Sequence, residues 1–251
     1  MAQERFFGEC SMPDVAEQWR DYFRLLDLGP GQRVLDVGCH QGDAIALLLS
    51  QHPELSRVIG VDRNEQKAGY AQRRFQGDDR VEIVRADAVS LPFAESSFDW
   101  VFTADTLEWV SDPSTALHEI RRTLVDGGSA LVIHTDFDTQ VFASGDIGLT
   151  RRIVHDFTDG GRRGTIGREL YGLCTAAGFS RVEPSVRTFI GTSFAAGLYA
   201  RKMVDMMRKW LVDEGRIDAA DFDGWSGALE QRDRDRSFFY SVNRNICLCS
   251  K

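Results

Sequence analysis

Residues 33–43, RVLDVGCHQGD, constrain what this chain can fold into more than any other stretch. Val34, Leu35 and Val37 have the apolar, β-branched character of a buried strand. Gly38 and Gly42 let the backbone turn sharply and come close to a bound molecule, and a helix predicted over 43–49 then starts with its N-terminus aimed at that molecule. A strand, a glycine turn and a helix start in this order form the binding corner of an open α/β sheet. Such a corner suits a ligand with an anionic end.

Two acids narrow the ligand. A dinucleotide corner uses Gly-x-Gly-x-x-Gly, whereas here Gly38 and Gly42 flank Cys39, His40 and Gln41, and Asp36 sits inside the turn. A carboxylate there would repel pyrophosphate. It suits a ligand carrying an ammonium or sulfonium beside its own carboxylate, and S-adenosylmethionine (SAM) carries both. The second acid, Asp62, ends another buried run, Val58-Ile59-Gly60-Val61, twenty residues past Gly42, a separation at which an acid can accept hydrogen bonds from ribose hydroxyls.

The stretch resembles motif I of the class I SAM-dependent methyltransferases, in particular the subgroup that includes the menaquinone and ubiquinone C-methyltransferases. That pattern, VLD-x-G-x-G-x-G, is matched except at its middle glycine, which here is His40. The resemblance covers roughly residues 14–186 and includes Asp87-Ala88, Leu91-Pro92-Phe93 and Ser97-Phe98-Asp99. It implies a Rossmann-like, doubly wound α/β fold, with a mostly parallel seven-stranded sheet, helices on both faces and a small helical lid. Residues 1–251 are read as one such domain, with an N-terminal helical cap over 1–30 and a helical insertion over about 190–236. SAM is the implied cofactor and S-adenosylhomocysteine (SAH) its product. Cofactor contacts are expected from Asp36, Gly38, Cys39, His40 and Gly42 in the turn, and from Asp62 and Arg63 after the second strand. Asp87 and Ala88 are expected at the adenine edge, and Thr103 at the end of the fourth strand.

Composition narrows the partners. The 251 residues are 43% hydrophobic, enough for one well-buried α/β domain. A net charge of −8 argues against a nucleic-acid partner, whose affinity depends on basic residues neutralising phosphates. The pairs Arg73-Arg74, Arg121-Arg122, Arg151-Arg152 and Arg162-Arg163 are interspersed with acids and read as solvated helix faces. There is no run of eighteen apolar residues and no basic-then-apolar leader, so no membrane span and a cytoplasmic setting are expected. Cys10, Cys39, Cys174, Cys247 and Cys249 are scattered and odd in number, which fits reduced thiols. Cys247 and Cys249 would share a strand face, but without further ligands nearby they assign no metal. Self-association into a homodimer is left open.

Along the chain, Val15, Trp19, Tyr22, Phe23 and Leu26 recur at helical spacing over 14–26, and relatives of this type close such a helix over the cofactor. Trp19 and Phe6-Phe7 are therefore candidate lid residues. Asp112-Pro113 opens a helix as N-cap and first residue, and strands are expected at 81–86, 100–103, 130–133 and 181–186. Tyr199, Met203, Met206, Met207, Trp210 and Leu211 form a helical stripe, read chiefly as core. Residues 213–236 read as charged surface and 238–248 as the last strand.

Methyl transfer from a sulfonium needs an oriented acceptor in a water-poor pocket, and a base only where the acceptor keeps a proton. The candidates are His134, after the fifth strand, and Asp105, after the fourth; Asp105 also reads as a second hydrogen-bonding group beside the cofactor. The expected acceptor is a small molecule, methylated at oxygen, nitrogen or carbon in specialised or cofactor metabolism. The alternatives are a protein or RNA acceptor, or SAM binding without methylation.

Overall fold

The computed structural model describes residues 12–160 and 163–251. Phe6, Phe7, Cys10, Gly161 and Arg162 lie outside the described residues. Within them the chain runs α1 (Pro13–Phe23), β1 (Arg33–Val37), α2 (Asp43–Gln51), β2 (Arg57–Asp62), α3 (Glu65–Arg74), β3 (Val81–Arg85), β4 (Phe98–Ala104), α4 (Pro113–Thr123) and β5 (Leu124–Phe142). It continues through α5 (Ile147–Gly160), α6 (Leu170–Ala176), β6 (Arg181–Gly191), α7 (Tyr199–Asp213), α8 (Ala219–Arg234) and β7 (Tyr240–Ser250).

The seven strands form one sheet in the order β3-β2-β1-β4-β5-β7-β6. The first five are parallel, and β1 is paired with β2 on one side and β4 on the other. Strand order thus grows outward from β1 in both directions. In open α/β sheets, ligands bind in the crevice at such a reversal, beyond the carboxyl ends of the strands. β7 is antiparallel to β5: Asn243 N–H donates to Thr139 Oγ1 and Ala143 N–H to the Phe239 carbonyl, so one strand ascends as the other descends. This is the Rossmann-like α/β architecture expected from the sequence, with four residues of β1 and five of β4 buried.

Local chemistry explains the element boundaries. Asp112 Oδ1 accepts from the amides of Ser114 and Thr115 at 3.0 and 3.2 Å, capping α4 as its Asp-Pro start predicts. Asn64 caps α3 the same way, accepting from Gln66 and Lys67. Gly60 lies where a Cβ would stand 2.7 Å from Ile45 Cδ1 and 2.8 Å from both Cys39 Sγ and Ile83 Cδ1, so only glycine lets α2 settle on β2.

The chain divides into two compact units. The first comprises the described residues through His134 together with Glu169–Ser185 and Ile246–Lys251, and holds α1–α4, α6 and the parallel sheet. Cys39, Cys174, Cys247 and Cys249, all in this unit, are free and buried. The second comprises Thr135–Arg168 and Val186–Asn245. Its core is aromatic. Phe142, Tyr240, Phe189 and Tyr199 make successive ring contacts at 4.6–6.1 Å, and Trp225 joins them through Phe142 while donating its indole N–H to Thr150 Oγ1. Arg168 forks onto Asp136 at 2.7 and 3.0 Å and reaches Asp138, tying β5 to the segment after α5.

Two features depart from the sequence reading. The second unit draws on 135–168 as well as on the region expected for the insertion, because β5 runs for 19 residues instead of stopping at Ile133. Its continuation HTDFDTQVF looks loop-like from its acids, but Asp136 is matched by Arg168, and Tyr240 Oη donates to Gln140 Oε1. The charged stretch 213–236 is not merely surface. It forms α8, in which Phe222, Trp225 and Leu229 are buried on one stripe among the charges.

Phe222→Ala tests that packing: the loss expected for a fully buried phenylalanine is about 3–5 kcal/mol in denaturant unfolding. A change within about 0.5 kcal/mol, the range of a surface substitution, would return α8 to the surface.

Candidate cofactor site

The turn after β1 is seated by its neighbours. Gly38 N–H and Cys39 N–H both donate to the Val61 carbonyl, at 2.7 and 2.9 Å, where β2 ends. Gly38 has φ +89, and a Cβ there would stand 2.0 Å from Thr106 Oγ1, so no larger residue fits beside the loop after β4. Thr106 Oγ1 donates to the carbonyls of Ala104 (3.0 Å) and Val37 (3.3 Å), and Thr103 Oγ1 donates to Val37 O at 2.8 Å. Thr103, expected at the cofactor, uses its hydroxyl hydrogen to hold the end of β1.

Gly42 closes the turn with φ +78 as the N-cap of α2. Phe75 Cε2 lies 2.5 Å from where its Cβ would be. Arg74 pairs with Asp43 and donates to the Gln41 carbonyl at 3.3 Å, bracing the turn from α3. The sequence offered no sign of this brace, since Arg74 read as a solvated basic residue.

Asp62 serves the same turn. Its Oδ2 accepts the His40 N–H at 3.0 Å and its Oδ1 accepts the Asn64 N–H at 2.8 Å. A carboxylate has about four lone-pair positions, so both oxygens keep capacity for a pair of vicinal hydroxyls. Arg63 beside it is exposed. Asp87 follows β3 in a tight turn, with its Oδ1 accepting from Val89 N–H at 3.2 Å and its carbonyl from Ser90 N–H, and Ala88 is buried next to it.

Asp36 is the electrostatic anomaly. It is only 3% exposed, and its Oδ2 is buried with no hydrogen-bond partner. Burial, and secondarily the charge of Asp62, push its carboxyl well above the ordinary carboxylate range. The Cys39 thiol is pushed up as well, by burial and then by the charges of Asp36 and Asp62. An unpaired buried carboxylate is costly alone and strongly favourable once a cation meets it.

His40 and Asp105, both non-glycine, adopt left-handed backbone conformations with φ +52 and +47. They follow the ends of β1 and β4, the two strands that flank the reversal of strand order. Each such residue costs about 1–2 kcal/mol, and strain of this kind gathers at functional sites. Asp105 N–H donates to the Ile133 carbonyl at 3.1 Å, and Asp105 Oδ1 lies 3.8 Å from His134 Nδ1. The His134 side chain is fully buried, whereas that of Asp105 is 19% exposed. Among the described residues no group of His, Cys, Asp and Glu is arranged to hold a metal ion, and no helix is long and apolar enough to cross a membrane.

A glycine turn at the reversal of a parallel sheet, with a buried acid before it and a second acid hydrogen-bonded directly to it, is the cofactor corner of a Rossmann-like SAM-dependent methyltransferase. Residues 35–132 match the methyltransferase domain family, and this part of the chain is a class I SAM-dependent methyltransferase domain. A 37.1 kDa protein of transposon Tn4556 from Streptomyces fradiae is 35% identical over 177 residues, which are 70% of this chain and 51% of that one. The demethylmenaquinone methyltransferase of Clavibacter sepedonicus is 37% identical over 102 residues, 41% of this chain and 40% of that protein. The chain therefore spans about half the length of these curated relatives or less. Among solved structures, the YcgJ protein of Bacillus subtilis superposes with a TM-score of 0.64 at 19% identity, covering 94% of this chain and 98% of that one. SAM is the cofactor of this family, and the residues present fit it: an unmatched carboxylate for its ammonium, a glycine cradle, and an acid with spare lone pairs for its ribose.

The raised carboxyl of Asp36 has a consequence for stability. The native state retains a proton that an unfolded aspartate, with a pKa of about 3.9, has already released. Stability must therefore fall as pH rises from about 4 upward through the native value. In ligand-free protein, Asp36→Asn is expected to be more stable than the parent at pH 8, with the difference vanishing towards pH 3. Parallel melting curves that keep their separation across that range would refute the assignment.

Proposed function

We propose that the protein transfers the methyl group of SAM to a small-molecule acceptor, at oxygen, nitrogen or carbon. The observation that carries this reading is the buried, unmatched Asp36 carboxylate beneath the glycine turn, in a chain of net charge −8. The first half of that observation calls for a ligand with a cationic amino-acid end. The second disfavours a polyanionic acceptor. The demethylmenaquinone methyltransferase relative, matched over part of its length, is in keeping with a small acceptor.

SAM supplies an electrophilic methyl on a sulfonium whose charge is lost on transfer. Asp36 holds the ammonium, with the Gly38-Cys39-His40 backbone and Gly42 against the cofactor. Asp62 accepts from the ribose hydroxyls, beside Arg63, and Asp87-Ala88 borders the adenine. Thr103 acts from behind, through the end of β1. Asp105 faces the acceptor and takes up its proton where it has one. His134, sealed behind Asp105, positions that carboxylate rather than touching the acceptor. The strained backbone of Asp105 aims its side chain at a fixed angle, and holding an acceptor in line supplies the larger share of the acceleration.

The test is calorimetric SAM titration combined with SAH release across a panel of small phenols, quinols, amines and carboxylates. Asp62→Ala should weaken SAM binding by about tenfold, the loss of one to two hydrogen bonds at about 1 kcal/mol each. Asp105→Asn should leave that affinity in place while lowering kcat on the order of 10²-fold, as for removal of a general base. Unchanged affinity in the first variant would dismiss the ribose assignment. SAH release driven only by RNA or protein would dismiss the small acceptor, and binding without turnover on any acceptor would dismiss methyl transfer.

A further inference from the structure

A second polar atom in the first unit is as isolated as Asp36 Oδ2. The Trp19 indole Nε1, on α1, is buried without a hydrogen-bond partner in a residue only 5% exposed. Buried indole N–H groups ordinarily find an acceptor. Elsewhere in this chain the rule holds, with Trp225 bonded to Thr150.

The sheet register shows that these two atoms lie on one face. Asp36 is paired with Phe102 across β1 and β4. In-register residues of adjacent strands project to the same side of a sheet. Phe102 makes an edge-on contact with Phe23 of α1 at 5.5 Å, and Phe23 contacts Trp19 at 5.7 Å. Helix α1 therefore covers the face from which Asp36 projects, and it brings an unmet donor to the side that holds an unmet acceptor. The two do not satisfy each other, since each lacks a partner. A bare carboxylate calls for a cation and a bare N–H for an acceptor, of which a carboxylate is the strongest kind. A zwitterionic amino-acid group carries both.

We propose that Trp19 donates its indole N–H to the carboxylate of the cofactor's amino-acid end, while Asp36 receives the ammonium, so that α1 is part of the binding site and not only its cover. The inference rests on the SAM reading above. Because both atoms are sealed from solvent, the cofactor enters with α1 displaced, and α1 closes once the zwitterion is seated. Bound cofactor then ties α1 to the sheet.

The experiment compares Trp19→Phe, which keeps an aromatic ring and removes only the N–H donor, with the parent. Calorimetry is run with SAM, SAH and 5′-methylthioadenosine, which lacks the amino-acid end. Loss of one hydrogen bond to a charged group predicts affinity for SAM and SAH lowered by about tenfold or more, with affinity for methylthioadenosine unchanged within about twofold. In the parent, amide exchange across α1 should slow when SAH is added and not when methylthioadenosine is added. Unchanged SAM affinity in the variant overturns the proposal. Equal weakening for all three ligands, including complete loss of methylthioadenosine binding, also overturns it, because that marks Trp19 as packing alone. A parent protein that binds none of the three defeats the cofactor reading itself.

Discussion

The Val61 carbonyl, near the end of β2, accepts two successive amides of the turn after β1, and the Val37 carbonyl accepts the hydroxyls of Thr103 in β4 and Thr106 in the loop after it. Through these bonds three adjacent strands hold one turn. The turn cannot relax without breaking a bond to β2 or β4, and this makes a left-handed His40 tolerable there. The position of Asp36 and the starting point of α2 follow from it. Thr106 is placed so closely that Gly38 has no alternative, so glycine here reflects packing as much as backbone freedom.

Charge at the corner is arranged by contrast. Asp62 has its oxygens on backbone amides, whereas Asp36, on the adjacent strand, has a bare oxygen and a carboxyl shifted upward chiefly by burial. The two acids thus differ in what they can offer an incoming molecule. One is prepared to accept hydrogen bonds from neutral hydroxyls, and the other gains most from meeting a cation. Folding tolerates the second because the rest of the unit is built on well-buried β-branched strands.

Much of this corner was legible in the sequence because its signals are local. The run Val34-Leu35-Asp36-Val37-Gly38 declares strand and turn by residue type, and Asp112-Pro113 declares a helix start by capping chemistry. What was not legible depends on partners far along the chain. Arg74 reads as a solvent-facing charge until α3 is folded against residues 41–43. The length of β5 is hidden because its acids look like loop chemistry, and only Arg168, 32 residues beyond Asp136, makes them compatible with a strand. In α8 the stripe Phe222, Trp225, Leu229 is present in the sequence, but the surrounding charges mask it.

The two units are not strung one after the other. The chain crosses between them at His134–Thr135, Arg168–Glu169, Ser185–Val186 and Asn245–Ile246, and three of these crossings fall inside the continuous strands β5, β6 and β7. The aromatic unit therefore has no linker at which it could be excised. Grafting a different one onto the first unit would have to splice three strands at once, each without slipping by a single residue, since a slip of one turns every following side chain to the opposite face. Diversification of such a protein is accordingly expected to proceed by substitution within the aromatic unit and not by its exchange.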